Sequence, residues 1–335
     1  MNTDIFKSIL RKPESGAALS LVSVIIFYVV LGGVQLDTLF GAASWVNFAA
    51  NLAIVALPVG LLMIAGELDI SIGAMIPAGS MSIAILSGHY ELPIIVGIIG
   101  TLAVGAIVGL INGILAVRTT VPSLIITLGT LVAMQGVVLS ASVLLTGNAS
   151  VSLTAPEWSK ALFGQFLAGS YQVIILWCIG FCILYYVVIH LTKIGNWIYA
   201  MGGDRNSARN AGIPTDKMTI WLFVLSAMSA TFVGMCGAIL FNSAQVSGGM
   251  QYIFNAIVAV VVGGVLLTGG FGSIIGIIFG VLTFAIVNQG IYFTDIDRNW
   301  SSLIIGTLLL TAVLLNNFFR KMALVDNKKN KKKGA

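Results

Sequence analysis

The sequence predicts an all-α integral membrane protein with about ten transmembrane helices, an internal repeat, and N- and C-termini that are both cytoplasmic. Composition is the first reason. Of 335 residues, 58% are hydrophobic and only 9% charged, whereas soluble domains carry about 25% charged residues, so a soluble fold could not cover itself with polar surface. Length is the second. The apolar runs are about 20 residues long, as helices crossing a bilayer require, and they lack the every-second-residue alternation of barrel strands. Charge placement is the third. Fourteen of the seventeen Lys and Arg fall in three clusters: Lys7, Arg11 and Lys12; Lys193, Arg205, Arg209 and Lys217; and Arg320, Lys321, Lys328, Lys329, Lys331, Lys332 and Lys333. The positive-inside rule puts all three in the cytoplasm, which requires an even number of spans.

Ten spans are expected, at 17–36, 43–64, 70–87, 92–116, 123–145, 171–191, 218–241, 253–270, 273–292 and 301–319. The first is too long for a signal-peptide core and reads as a retained helix. The chain divides into a cytoplasmic segment (1–16), one transmembrane domain (17–320) with its largest internal loop at 193–217, and a basic cytoplasmic tail (321–335) that reads as disordered. Arg118 then also lies inside. The segment 146–165 and the acidic "TDIDRN" (294–299) lie outside.

The repeat is visible without gaps. "AIVALPVGLLMIAGELDISIG" (53–73) aligns to "AIVAVVVGGVLLTGGFGSIIG" (256–276) with nine identities in 21. Each copy ends in a glycine-rich break followed by a new apolar run. Internal duplication is typical of transporters, although two apolar helices also share residues by composition alone. Gly105, Gly109 and Gly113 are spaced four apart, as are Gly272, Gly276 and Gly280; such stripes let helix backbones approach closely in lipid.

Several chemistries are excluded or weakly supported. The chain has no phosphate-binding Gly-x4-Gly-Lys-Ser/Thr loop, so it is not expected to bind ATP itself. The net charge of +5 is accounted for by topology and gives no sign of nucleic-acid binding. Cys178, Cys182 and Cys236 fall inside apolar runs and read as small buried residues. His89 and His190 sit at expected membrane edges and read as interfacial. No nucleophile–base set or metal cluster can be assembled, so no cofactor is expected in this chain and a membrane-embedded enzyme is disfavoured.

Two polar features remain. Glu67 and Asp69 lie between uncharged stretches at 38–66 and 70–88, and ionisable groups there are costly. "KIGNWIYAMGGDRNSARNAGIPTDKM" (193–218) contains a short helix-forming segment, with Asp204 as a possible N-cap and Gly212 as a stop. It reads equally as a solvated loop with interfacial Trp197 and Tyr199 or as a helix offered to a soluble partner.

Four motifs in order resemble one family, the permease subunits of bacterial ribose-type (monosaccharide) ABC importers, with a more distant relation to branched-chain amino-acid permeases. They are "GELDISIGAMIPAGS" (66–80), "GLINGILAVRTTVPSLIITLGTL" (109–131), "IGNWIYAMGGDRNSARNAGI" (194–213) and "VVVGGVLLTGGFGSIIGIIFGVL" (260–282). The chain departs from the family pattern in three places. Glu67 stands where the family usually has Gly, Val121 where it often has Pro, and Asp204 where Asn is common. The resemblance implies a non-catalytic permease of the bacterial cytoplasmic (inner) membrane. Its partners would be a cytoplasmic ABC ATPase carrying the ATP and Mg, a second permease copy or paralogue, an extracytoplasmic sugar-binding protein and the bilayer.

By that analogy the segment 204–212 is the ATPase-coupling loop, comprising Asp204, Arg205, Ser207, Ala208, Arg209, Ala211 and Gly212. Gly73, Glu67, Asp69 and Ser71 become gate or helix-cap candidates. Asp69 is expected to cap the next helix with help from Ser71, either as a plain cap or as part of an inner gate. Asn47, Asn51, Gln135, Asn255 and Asn288 are pathway candidates, each able instead to bond a neighbouring helix. The competing reading is a stand-alone secondary carrier for a small polar solute, whose ion site only Glu67 and Asp69 could seed.

Overall fold

A computed structural model describes residues 14–30, 38–293 and scattered positions between 300 and 314. Residues 1–13 of the expected N-terminal segment, the expected external stretch 294–299, most of the tenth expected span and the expected tail lie outside the described residues. Among the described residues, twelve α-helices and four short strands have defined bounds. They are α1 (Glu14–Val30), α2 (Leu39–Ile64), α3 (Ile72–Ile83, continuing as a π-helix over Ala84–His89), α4 (Ile94–Arg118) and α5 (Ser123–Thr146), then β1 (Ser150–Ser152), α6 (Glu157–Phe163), β2 (Phe166–Leu167) and β3 (Tyr171–Gln172). There follow α7 (Ile174–Leu191), α8 (Lys193–Gly203), α9 (Arg205–Asn210), α10 (Thr215–Phe241), β4 (Ser243–Gln245), α11 (Met250–Val262) and α12 (Ile274–Gly290).

Among the described residues, six helices are long and apolar enough to cross a membrane: Phe40–Ile64, Ile72–His89, Ile94–Arg118, Ser123–Thr146, Ile174–Leu191 and Thr215–Phe241. Three shorter apolar helices lie at Glu14–Tyr28, Met250–Val262 and Ile274–Gly290. The largest boundary correction concerns the expected 253–270 span. Its helix ends at Val262, because Gly263, Gly264, Gly269 and Gly270 follow and three of these have positive φ.

The helices sort by burial. In α2, 83% of its most apolar stretch is buried inside the protein, and in α10 78%; in α7 the figure is 17%. Thus α2 and α10 form the centre and α7, α5 and α4 face outward. α2 starts at Thr38, whose hydroxyl accepts from the Gly41 N–H (3.1 Å). Its 26 residues extend about 39 Å at 1.5 Å each, enough for a bilayer core.

The Gly105–Gly109–Gly113 stripe explains how α4 meets α10. A Cβ on Gly109 would sit 2.6 Å from the Phe223 carbonyl oxygen, and one on Gly113 would sit 2.7 Å from the Ile220 Cα. Backbone therefore packs on backbone, and any larger residue would separate the pair. Gly276 and Gly280 likewise press on the backbone at Gly263 and Ala259 of α11.

One end of the bundle carries α8, α9, Arg118 and the Ser123 end of α5, and is the basic end. At the opposite end β1 pairs antiparallel with β4, and β2 with β3. These strands qualify the all-α expectation without changing it. The two stretches that align in sequence both fold as helix, glycine corner, helix.

Candidate functional site

Two regions gather the polar groups, one at each end of the bundle. At the basic end, α2 stops where Gly66 takes φ +86°, the left-handed conformation that a helix C-terminus commonly needs. Glu67 N still donates to the Leu62 carbonyl (2.9 Å), but from Leu68 to Ile70 the chain runs without helix bonds, so its N–H groups need other partners. α5 supplies them: Leu68 N donates to Ser123 Oγ (3.1 Å) and Ile70 N to Thr127 Oγ1 (3.3 Å).

Asp69 is fully buried. Its Oδ1 accepts from the Ser71 N–H (2.9 Å) and from Ser71 Oγ (2.6 Å). Asn112 Nδ2 donates to Ser71 Oγ (3.0 Å), and Thr130 Oγ1 donates to Asn112 Oδ1 (2.6 Å). Asp69 thus sits at the start of α3, but the Ser71 hydroxyl is turned to Asp69 and gives the helix no cap bond. Gly73 lies where α3 meets Ile253 of α11 and Leu131 of α5, with no room for a Cβ.

Glu67 has a different partner. Its carboxylate forms an ion pair with Arg205 at the start of α9. The same guanidinium donates to Thr219 Oγ1 (3.2 Å). Arg209 pairs with Asp216, which also lies 3.6 Å from Arg205 Nη2, and donates to Thr215 Oγ1 (3.3 Å).

The second glycine corner, between α11 and α12, packs against the first. Gly270 N donates to the Ile64 carbonyl (2.8 Å), linking the two corners directly. Gly202 at the end of α8 lies between them, with no room for a side chain against Ile64 O or Gly270 N. Tyr199 Oη donates to the Gly272 carbonyl (2.7 Å). Ser273 then starts α12, accepting from the Gly276 N–H (3.0 Å).

α9 lies over this knot. Its Asp204 carboxylate accepts from the Ser207 N–H (2.6 Å), the N-cap expected from sequence. Hydrogen bonding to Ser207 holds the Asp204 carboxyl below the usual carboxylate range. Asp204, Ser207, Arg209, Ala211 and Gly212 are exposed and Arg205 is half-buried, whereas Ala208 turns inward and is buried.

At the opposite end a cavity of about 660 Å³ is enclosed by α2, α3, α10, α12 and the segments around 163–174 and 241–248. Among the described residues, no charged side chain lines it. Its polar lining includes Asn51, Gln172, Gln245, Tyr252 and Gln289. Asn47 also lines it, and ties α2 to the β2–β3 hairpin: Nδ2 donates to the Ser170 carbonyl (2.9 Å) and Oδ1 accepts from the Gln172 N–H (2.8 Å). Asn51 Nδ2 donates to Gln172 Oε1 (3.0 Å).

The other three pathway candidates are not in this cavity's lining. Asn288 sits behind it, with Oδ1 accepting from Gln289 Nε2 (2.9 Å). Gln135 donates to Met250 Sδ (2.9 Å), and Asn255 is half-buried on α11 beside exposed Phe254. Tyr199 reads from the sequence only as an interfacial aromatic, and Gln172, Gln289, Tyr252 and the Ser123–Thr127 pair are not singled out there. Only the last had a signal, since "PSLIIT" places two hydroxyls four apart on one helix face.

Residues 41–313 match the family model described as the permease component of a branched-chain amino acid transport system. The chain therefore belongs to that family of transport permeases. It is 31% identical over 334 residues to the fructose import permease protein FrcC of Rhizobium meliloti, covering 95% of this chain and 91% of that one. It is 30% identical to the autoinducer 2 import system permease protein LsrD of Photorhabdus laumondii, covering 89% and 90%. To the ribose import permease protein RbsC of Escherichia coli K12 it is 29% identical, covering 79% and 82%. No solved structure matches the chain. The chain is thus a multi-pass membrane permease subunit, as the four motifs implied.

Proposed function

We propose that this chain is the translocation subunit of an ATP-driven importer for a monosaccharide or a similar small neutral solute in a bacterial cytoplasmic membrane. Its basic end would face the cytoplasm and α9 would dock on an ATPase that carries the ATP and Mg. A second permease copy or paralogue and an external sugar-binding protein would complete the assembly. In this reading the chain has ten spans and two duplicated halves, each turning at a glycine corner.

The observation that supports it most is the cavity: about 660 Å³ is within the range of small-molecule sites, and among the described residues its lining mixes apolar side chains with uncharged amides and hydroxyls. Such groups match the donors and acceptors of a polyhydroxyl solute and supply no countercharge to a carboxylate or ammonium. The relatives named as fructose and ribose import permeases point the same way. The carrier reading would rest on Glu67 and Asp69, yet Glu67 is committed to Arg205, Asp69 is bonded to Ser71 through Oδ1 and buried, and neither lines the cavity.

The test is co-expression with the ATPase encoded beside it, with and without Asp204, Arg205 and Arg209 changed to Ala, followed by recovery of the complex and solute uptake in liposomes. Stoichiometric ATPase recovery that the triple variant loses, with uptake dependent on ATP, is expected. Uptake by the lone chain without ATP would establish the carrier instead.

A further inference from the structure

The basic loop reaches the membrane core by two separate polar arms. One runs from α9: Arg205 pairs with Glu67, the residue just after the positive-φ Gly66. From there the chain passes through Asp69 and Ser71 into α3, which supplies Ile76, Pro77 and Ser80 to the cavity wall. The other runs from α8: Tyr199 Oη holds the Gly272 carbonyl (2.7 Å), one residue before the Ser273 cap of α12, which supplies Gln289 to the opposite wall. Between the arms, Gly202 fills the gap where Gly270 N bonds the Ile64 carbonyl.

Both arms end on glycine corners, where φ lies in a region a side chain resists, so a small change of backbone angle there can reorient the helix that follows. Glu67 is largely buried, with 12% of its side chain exposed. It lies beneath α9, not on the outer face that carries Asp204 and Ser207.

We propose that Glu67 and Tyr199 are positioning residues that divide the coupling stroke, Glu67 carrying movement of α9 through Arg205 to α3 and Tyr199 carrying movement of α8 to α12. This rests on the importer reading above and specifies how that site is worked. Movement of the basic loop thereby reaches both walls of the cavity, and cutting one arm leaves docking intact while weakening its transmission.

The experiment uses the full complex with its ATPase and binding protein in liposomes, reading three quantities: ATPase recovered per permease, ATP hydrolysed, and solute imported per ATP. Glu67→Gln, Arg205→Gln and the double variant form one cycle, with Tyr199→Phe beside them. Glu67→Gln and Tyr199→Phe, each nearly isosteric, should leave ATPase recovery unchanged and lower solute per ATP at least threefold. The Glu67→Gln/Arg205→Gln double variant should lose no more than the worse single, because the two residues act through one contact. A wild-type ratio in both Glu67→Gln and Tyr199→Phe, or additive losses in the Glu67–Arg205 cycle, would overturn the division. If the wild-type chain itself recovers no ATPase, the importer reading fails and this inference falls with it. That outcome is distinct from a failure of the arms, in which the wild-type complex is intact.

Discussion

The two ends of this bundle solve opposite problems with different chemistry. At the basic end, three backbone segments meet with no side chain between them: Gly66, Gly202 and the Gly269–Gly270 pair. At the other end the helices part around a cavity that amides and hydroxyls line. The knot is dense, and its polar groups are largely paired, although the buried Asp69 Oδ2 has no hydrogen-bond partner among the described residues. The cavity is open, and its polar groups tie loops to helices while leaving surface toward the space. A passage closed by backbone contact at one end and roomy at the other suits alternating access, because small changes in corner angle can exchange which end is tight.

The largest predicted effect breaks the knot. A Cβ at Gly202 would overlap the Ile64 carbonyl oxygen and the Gly270 nitrogen, which are backbone atoms and cannot swing aside. Gly202→Ala should therefore cost about 3 kcal/mol, the upper range for overpacking, and sharply reduce monodisperse protein in detergent size-exclusion. Gly203→Ala, one residue on, meets nothing within 4 Å and should change thermal stability by less than about 0.5 kcal/mol. If both variants behave alike, the close approach does not hold the corner.

The contrast also explains what could be read from sequence. Helices of the centre were legible because their apolar runs are long, and the corners because glycine clusters interrupt them. The glycine stripe at 105, 109 and 113 announced close packing, and α10 is its partner. Glu67 stood out by its charge, but its partner lies 138 residues away and no local pattern points there. Asn47 and Asn51 stood out as polar residues in an apolar run. Gln172 and Gln165 did not, since a connecting loop is expected to be polar and carries no period. Tyr199 read as an interfacial aromatic, whereas its hydroxyl is fixed to Gly272 by a fold the local sequence does not encode.

A second prediction isolates the cavity end. Asn47→Ala removes two of the three described bonds that hold the β2–β3 hairpin to α2, sparing Asn51 Nδ2 to Gln172 Oε1, and leaves the Ser170 carbonyl and Gln172 N–H seeking other partners. The expected cost is about 1–3 kcal/mol, confined to that end. Hydrogen exchange should speed at least tenfold for amides 166–173 while those of 65–71 stay as protected as before. Equal loosening at both ends would show that the two regions do not behave as separate units.

A smaller effect sharpens the cavity's role. Tyr252→Phe removes one hydroxyl from the lining without changing its shape. If solute occupies this space and meets that hydroxyl, the half-saturating concentration for uptake should rise about fivefold, equivalent to about 1 kcal/mol for one hydrogen bond. The maximal rate should change less. An unchanged half-saturation would place the solute's path elsewhere.

The smallest effect lies at the edge of the knot, where α9 begins. Hydrogen bonding to Ser207 holds the Asp204 carboxyl below its ordinary value, so the folded state favours the charged form. The sign follows by linkage. This contribution is fully present above the unfolded carboxyl's pKa, about 3.9, and is lost as pH falls through the lower folded value. Order in α9 should therefore be constant from pH 8 to pH 5 and weaken only in more acidic buffer. The Ser207 amide reports it directly, through its exchange rate corrected for the intrinsic effect of pH. Asp204→Asn keeps the acceptor and removes the titration, so its protection should lack the acid step. A step that persists in Asp204→Asn would assign the loosening to other carboxylates near α9, with Asp216, the partner of Arg209, as the first to examine.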